Sequence, residues 1–288
     1  MDYSRFHHLT DPARDKAELW RTAVGLLCAT ALYTGGSFLF FGIIMSALGA
    51  SAMEEVIGGS TPRGTLLLLA HFGLMAGSVV LTVIFLHGRG ALTLLGDRAR
   101  LWRDFLSMSQ LALIVALAMG VIVAVFYDIG TNTPFGTWLL LLPLALPLVL
   151  LQTGAEELVF RGYLQQQLGA RVAARTVWLL VPAVLFALVH VDAETMGANL
   201  WLYLFVIFVF ALVTGDITAR TGSLGAAWGL HFVNNVNALL VFSFVGSLSG
   251  LGLTNVGLAV SDPGVRPLLF ADAAGLALIY ILWRRRHG

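Results

Sequence analysis

Two adjacent glutamates and an arginine follow a long apolar run near the middle of the chain. The run extends from Trp138 to Leu151, and Glu156, Glu157 and Arg161 come soon after it. An ionisable side chain at membrane depth costs about 2.5–3.5 kcal/mol on insertion scales, so three of them together need a reason. A carboxylate in such a place can serve as a general base, which makes these residues candidates for chemistry.

Helical spacing separates the two glutamates into different roles. Glu157 and Arg161 are four residues apart, so on a helix they share a face and can form an ion pair. Glu156 points about 100° further round the same helix and has no such partner. We therefore expect Glu156 to carry the chemistry, and Glu157 with Arg161 to shape the site.

Three histidines also lie within apolar stretches. His190 ends one stretch, and His231 lies four residues before Asn235, so these two share a helix face. Asn234 is the immediate neighbour of Asn235 and stays open as its substitute. His71 has no polar companion at helical spacing, and we interpret it as a structural residue.

The chain lengths between these residues allow them to meet. Glu156 and His190 are 34 residues apart, and the midpoint falls at a predicted turn over 171–175. A helical hairpin would place both about 22 Å above that turn. The run Gln165-Gln166-Gln167 suits a solvated extension of this hairpin beyond the membrane. We expect Glu156, His190, His231 and Asn235 to converge.

Such a cluster limits the possible chemistry. The single cysteine, Cys28, and the lack of a serine beside a histidine argue against a covalent nucleophile. A carboxylate with an imidazole can deprotonate water, and imidazole and amide donors can stabilise an oxyanion. The pattern therefore predicts hydrolysis by activated water. Glu156, His190 and His231 would also suit a divalent metal such as zinc, although no HExxH is present. A cofactor-free site and a metal site both stay open.

The composition indicates the kind of protein that must position these residues. The chain is 58% hydrophobic and 11% charged, with a mean hydropathy of +0.85. A soluble domain is about 25% charged, so we predict an all-α, polytopic membrane protein. Eight stretches approach the length of a spanning helix: 19–48, 65–87, 104–126, 137–160, 175–191, 199–217, 223–245 and 268–283.

The basic residues orient these eight helices. With the N-terminus in the cytoplasm, only Arg63 and Arg266 of the 17 basic residues fall outside. Cytoplasmic loops collect positive charge, so both termini are predicted to be cytoplasmic. The composition is typical of a bacterial protein, which suggests the inner membrane. Basic residues distributed in this way do not indicate a nucleic-acid partner.

Three motifs on three stretches together resemble the CPBP family. They are Glu156-Glu157-Leu158-Val159-Phe160-Arg161, then Phe186-Ala187-Leu188-Val189-His190, then His231-Phe232-Val233-Asn234-Asn235. The family includes type II CAAX prenyl endopeptidases and bacterial Abi-type proteins linked to bacteriocin immunity. The resemblance covers roughly residues 137–245.

The resemblance implies an intramembrane endopeptidase whose eight helices enclose a conical cavity open to the cytoplasm. Glu156 would activate water together with His190, while His231 and Asn235 would stabilise the oxyanion. Family members are described both as metalloproteases and as metal-free glutamate proteases. The substrate would be a membrane-associated protein or peptide.

Two other functions stay open beside the peptide hydrolase. A proton-coupled transporter also uses buried carboxylates and histidines, but no two-half repeat with broken helices is visible. A non-catalytic scaffold or immunity protein could use the same cavity.

We divide the chain into a three-helix part (1–136), a catalytic core (137–245), and an outer loop with the last helix (246–288). The motif Gly73-xxx-Gly77 could allow close helix packing.

Overall fold

A computed structural model describes residues 3–287, and within them eight helices of at least 12 residues occupy the positions of the predicted stretches. They are α1 Leu19–Leu48, α2 Pro62–His87, α3 Arg98–Phe126, α4 Phe135–Glu157, α5 Arg175–Leu188, α6 Leu200–Thr221, α7 Gly225–Val236 and α8 Arg266–His287. Short helices lie at Ser4–Phe6, His7–Thr10, Asp11–Lys16, Ala50–Gly58, Ala91–Leu95, Ala193–Met196, Gly197–Asn199 and Pro263–Val265.

Six helical segments within 3–287 are long and apolar enough to cross a membrane. They contain α1, α2, α3, α4, α6 and α8, whereas α5 is a shorter apolar helix of 14 residues. The helix α7 has 12 residues before its hydrogen-bonding pattern changes. The prediction of an all-α, polytopic membrane protein is confirmed; the conical cavity stays a prediction.

The helix α4 continues beyond Glu157 with altered hydrogen bonding. Residues Leu158–Gln165 form a π-helix, and Gln166–Arg171 return to α-helix. The turn at 171–175 that joins α4 to α5 lies where the sequence predicts it. π-Helical segments are rare and often mark functional sites, and this one begins directly after the two glutamates.

The first residues of the chain fold over one end of the bundle. This N-terminal segment, residues 3–16, buries Phe6 and Leu9 against the helices, and Phe6 packs on Trp178 at a ring distance of 4.6 Å. Arg175 and Arg220 lie at this end, where both guanidinium groups pack on the Tyr3 ring, and we call this end the basic face.

The predicted solvated extension at Gln165-Gln166-Gln167 is wrong, because the N-terminal segment and its neighbours cover it. All three glutamines are buried. Gln166 Nε2 donates to the Leu9 carbonyl at 2.6 Å, and Gln165 Nε2 donates to the Gly215 carbonyl at 2.8 Å. These amides therefore fasten helices and the N-terminal segment together.

A second polar cluster joins the N-terminal segment to α6 and α8. The Asp216 carboxylate accepts hydrogen bonds from the hydroxyls of Tyr3 and Tyr280 at 2.5 and 2.6 Å. Arg220 Nε donates to the same carboxylate at 2.5 Å. Burial, followed by the hydrogen bond to Asp216, raises the pKa of Tyr3 to about 12. Tyr3 is therefore neutral and able to donate at ordinary pH.

The opposite end of the bundle carries a small sheet that the sequence did not predict. Its strands are β1 Gly130–Thr131, β2 Phe242–Val245 and β3 Thr254–Ala259, in the order β1-β3-β2. β3 is antiparallel to β1 and parallel to β2. The predicted helix over 223–245 therefore ends earlier: a π-helical turn, Asn237–Val241, follows α7 and leads into β2.

Glycines bring α7 directly against α3. A Cβ atom at Gly225 would clash with the Leu101 carbonyl, and one at Gly229 would clash with the Phe105 carbonyl. The predicted small-residue motif in α2 makes no comparable contact, since the nearest atom to a Cβ at Gly73 is 3.7 Å away and Gly77 faces open space. One hydrophobic core contains side chains from α3, from the π-helical segment after α4, and from α5 to α8. The three-part division of the chain stays a prediction.

Candidate active site

Glu156 lies at the end of α4, and its side chain is held by two different helices. The residue is only 6% exposed. Its Oε1 accepts a hydrogen bond from Gln152 Nε2 at 2.7 Å, and its Oε2 lies 3.4 Å from His231 Nε2. Oε2 has no hydrogen-bond partner among the described residues. One oxygen of the carboxylate is thus fixed, and the other is available beside an imidazole.

Glu157 is the buried anchor of the site. It is fully buried, and its Oε1 accepts from Arg161 Nη1 at 3.1 Å and from His231 Nδ1 at 2.8 Å. The ion pair predicted from helix spacing is present. The contact with His231 joins α4 to α7 and was not predicted, because spacing within one helix says nothing about partners on another.

Arg161 extends this anchor to α5 and α6. One terminal nitrogen, Nη2, donates to the Thr214 hydroxyl and to the Ala211 carbonyl, the latter at 3.5 Å. The guanidinium carbon lies 4.6 Å from the centre of the Phe186 ring. A buried charge is tolerable when it is paired and hydrogen-bonded, and Arg161 meets both conditions.

The contacts of His231 determine which nitrogen carries a proton. A carboxylate only accepts, so His231 Nδ1 must donate its hydrogen to Glu157. Nε2 is then left toward Glu156, and the ring packs 4.9 Å from the ring of Phe210. The side chain is therefore oriented from two sides, as a functional imidazole requires.

Asn235 reaches the site through a residue that the sequence analysis missed. Its Nδ2 donates to Gln152 Oε1 at 2.8 Å, and Gln152 in turn donates to Glu156. The neighbouring Asn234 contacts Asn235 at 3.4 Å instead of Gln152. The position of Gln152, four residues before Glu156, predicts a contact on the same helix face, but a neutral amide does not by itself indicate chemistry.

His190 lies just beyond the end of α5. Its Nδ1 is 2.7 Å from the Phe186 carbonyl, which can only accept, so Nδ1 donates and Nε2 is free to accept. The Phe186 ring lies 4.7 Å from the His190 ring and 6.0 Å from the His231 ring. Within residues 3–287, no hydrogen bond or ion pair joins His190 to Glu156. The structure thus places His231 beside Glu156, joins Asn235 to Glu156 through Gln152, and places His190 across the ring of Phe186.

The donors suggested for a metal do not form a set in this arrangement. Among the described residues, no three side chains of histidine, cysteine, aspartate or glutamate are grouped to hold a metal ion. One Glu156 oxygen and His231 Nδ1 are already used by Gln152 and Glu157. The side chains themselves supply the acid–base groups of this site, and a divalent metal stays a prediction that the metal content of the purified protein tests.

Comparisons with known proteins agree with the motifs on these helices. Residues 136–237 match the family model described as type II CAAX prenyl endopeptidase Rce1-like. These residues form an Rce1-like region. It contains Glu156, His190, His231 and Asn235, together with Gln152. At the level of the family, this supports a CAAX-type protease that works within the membrane.

A bacterial protein is similar over a longer part of the chain than the Rce1-like region. The uncharacterized protein YyaK of Bacillus subtilis (strain 168) is 29% identical over 238 residues, which is 78% of each chain. The similarity to YyaK therefore extends beyond the Rce1-like region. No solved structure matches.

Proposed function

We propose that this protein is an intramembrane endopeptidase that hydrolyses a membrane-associated protein or peptide with water activated by Glu156. The basic face lies in the cytoplasm of a bacterial cell, and both termini are on that side. The observation that carries the proposal is the Glu156 carboxylate, fixed on Oε1 by Gln152 with Oε2 left beside His231. The family match supports the reaction class.

The first step is the attack of water on the scissile carbonyl carbon. Glu156 Oε2 takes a proton from the water, and the oxygen of that water forms the new bond to carbon. The hydrogen bond from Gln152 holds the carboxylate in one orientation while this occurs. General-base assistance of this kind contributes about 10²–10⁴ to a rate.

The carbonyl oxygen becomes an oxyanion that needs hydrogen-bond donors. The Asn235 amide has two hydrogens on Nδ2, and Gln152 uses one, so the other is available. His231 can donate from Nε2 only as an imidazolium, because its Nδ1 already donates to Glu157. The Glu157 carboxylate holds the imidazole ring in place, and Arg161 balances the charge of Glu157.

The second step breaks the carbon–nitrogen bond of the tetrahedral intermediate. Glu156 returns its proton to the departing amine, the oxyanion reforms a carbonyl, and the products are a new carboxyl terminus and a new amino terminus. His190 has a free Nε2 to accept a hydrogen bond from the water or the amine. Its position beyond the Phe186 ring suits a group that acts after substrate has entered.

The proposal is tested by comparing peptide termini in bacterial membranes that contain either wild type or Glu156→Gln. The substitution keeps the size of the side chain and removes the base. We expect a set of new termini made only by wild type, with both proteins present at equal levels and equally folded. If both membranes contain the same termini, the protein is not this protease, and the transporter or scaffold interpretation is preferred.

A further inference from the structure

Arg89 follows the end of α2 at the basic face, and two of its three side-chain nitrogens have no partner. Its Nη1 donates to the Thr93 hydroxyl at 2.8 Å. Its Nε and Nη2 are buried and have no hydrogen-bond partner among the described residues. Burial lowers the pKa of Arg89 to about 10, so the guanidinium is still charged at neutral pH. Buried polar groups are normally hydrogen-bonded, so these two nitrogens call for an acceptor.

Lys16 of the N-terminal segment places a second positive charge beside Arg89. A Cβ atom at Gly88 would lie 2.9 Å from Lys16 Nζ, so the ammonium group rests against the residue that precedes Arg89. Among the described residues, no carboxylate forms an ion pair with Lys16 or Arg89. Glu18 pairs with Arg21 instead, at 3.0 Å. The two charges are therefore uncompensated within the part of the chain that the structure describes.

These two charges border the apolar surface that faces lipid. Phe85 of α2, Trp20 of α1 and Leu92, which follows α2, are all large and exposed. Arg21 joins the two helices at this level, since its guanidinium lies over the Trp20 ring and its Nη1 donates to the Leu86 carbonyl at 3.4 Å. Lipid phosphates lie just outside the apolar core of a bilayer, and Arg89 and Lys16 lie just beyond this apolar surface.

We propose that Arg89 and Lys16 bind the phosphate group of an anionic phospholipid, which ties the N-terminal segment to the end of α2. Nε and Nη2 lie along one edge of the planar guanidinium and can donate two parallel hydrogen bonds to a phosphate. The lysine adds a point charge to the same group. The inference goes beyond the proposed function, because this site lies outside the Rce1-like region and takes no part in hydrolysis.

The neighbouring side chains favour a lipid over a free phosphate ion, because the exposed Phe85 and Leu92 can hold its acyl chains. Buried water is the competing arrangement. Gln166 donates to the carbonyl of the same Thr93 at 2.7 Å, and its Oε1 also has no partner among the described residues. Water between Gln166 and Arg89 would satisfy both groups without a lipid. The two arrangements differ in whether an anionic lipid stabilises the protein.

The test measures the melting temperature of the full chain in an uncharged detergent, after co-purified lipid has been washed away. Phosphatidylglycerol, phosphatidylcholine with the same acyl chains, and inorganic phosphate are titrated separately at constant ionic strength. The variants are Arg89→Gln and Lys16→Gln. The matched control is Arg285→Gln, which removes the same charge from an exposed position in the last turn of α8. A ligand that binds only the folded protein raises its melting temperature, so each titration gives an apparent dissociation constant.

We expect phosphatidylglycerol to raise the melting temperature of wild type, and phosphatidylcholine and inorganic phosphate to leave it unchanged. Arg89→Gln should weaken the apparent affinity for phosphatidylglycerol by about tenfold or more, as the loss of charge-assisted hydrogen bonds requires. Lys16→Gln should weaken it about fivefold, the contribution of one basic residue beside an anionic lipid. Arg285→Gln should match wild type.

The inference is overturned if phosphatidylglycerol stabilises Arg89→Gln as well as it stabilises wild type. It is also overturned if phosphatidylcholine acts as strongly as phosphatidylglycerol, or if inorganic phosphate does, since the site would then take a neutral lipid or a free ion. A wild type that responds to none of the three leaves buried water at Arg89. If Arg89→Gln does not fold, Lys16→Gln decides, because Lys16 is exposed. An affinity equal to that of Arg285→Gln would then overturn the inference.

Discussion

At the scale of single residues, the site depends on the direction of one amide. The Gln152 side chain donates to Glu156 and accepts from Asn235, so it fixes the orientation of a carboxylate and of an amide at once. A reversed amide would place its oxygen against the carboxylate and its nitrogen against another donor. The order of donors and acceptors therefore fixes both the base, Glu156, and the oxyanion donor, Asn235, relative to each other.

Gln152→Leu should lower kcat/KM by about ten- to a hundredfold, the value of a hydrogen bond to a charged group. The measurement is kcat/KM in vesicles, with Gln110→Leu as a control at an exposed position in α3. A Gln152→Leu protein with the same kcat/KM as this control would show that the hydrogen bond to Glu156 does not support the reaction.

Glu157→Ala or Arg161→Ala should destabilise the protein by about 3–5 kcal/mol, because each leaves a buried charge without its partner. Thermal unfolding in detergent measures this. Arg63→Ala is the matched control, since its ion pair with Glu55 is exposed and should leave the melting temperature unchanged. Equal melting temperatures for Arg161→Ala and Arg63→Ala would contradict the account of the anchor.

The sequence predicted those parts of the site that depend on one helix. The spacing of Glu157 and Arg161 implied their pair, and the motifs located Glu156, His190 and His231. Contacts between helices could not be predicted, because they depend on how the helices rotate and pack. His231 with Glu157, and His71 with Tyr33, are both of this kind. Such contacts need the fold as well as the sequence.

At the scale of secondary structure, the close packing of α7 on α3 positions His231 and Asn235. Gly225 and Gly229 let the two backbones touch, and His231 follows Gly229 by two residues. Any displacement of α7 would move the imidazole relative to Glu156. A shift of about 1 Å at a catalytic group can lower a rate about a hundredfold.

Gly229→Ala should therefore lower both activity and stability, with a stability loss of about 1–3 kcal/mol from overpacking. The added methyl group would meet the Phe105 carbonyl and Ser109 of α3. Gly77→Ala is the control, because a Cβ atom there meets nothing within 4 Å. Melting temperature and cleavage rate are measured for both. A Gly229→Ala protein as active and stable as the control would show that close contact is not required.

The positions of the helices could be predicted from the lengths of the apolar stretches. The residues at which the helices end were harder to predict. All eight helices coincide with apolar stretches, since lipid requires long runs of such residues. The end of the stretch over 223–245 was not predicted, because Phe242–Val245 is as apolar as a helix but pairs with β3. Composition alone does not distinguish a short buried strand from the last turn of a helix.

At the scale of the whole molecule, the N-terminal segment joins the ends of several helices at the basic face. Tyr3 contacts Asp216 of α6, and Leu9 accepts from Gln166 beyond α4. The polar run at 165–167 was predicted to be solvated because no sequence pattern showed that the first residues of the chain fold back over it. The amides of this run instead hold the N-terminal segment and the helix ends together.

Tyr3→Phe should lower the melting temperature at neutral pH, because Asp216 loses a buried donor. The pKa of Tyr3 is raised to about 12, above the ordinary value of about 10. This stabilisation is therefore complete below pH 10 and is lost as the pH rises toward 12. Melting temperatures of both proteins from pH 8 to 11.5 should converge at the alkaline end. A constant difference across that range would show that the Tyr3 proton is not involved.

The central claim is that the Glu156 carboxylate activates the water that cuts the peptide. The most direct measurement is the cleavage rate of a purified peptide by wild type and by Glu156→Gln in vesicles, at equal melting temperature. The account predicts a loss of at least a hundredfold, the lower end for removal of a general base. A Glu156→Gln protein that cleaves within tenfold of wild type would contradict it.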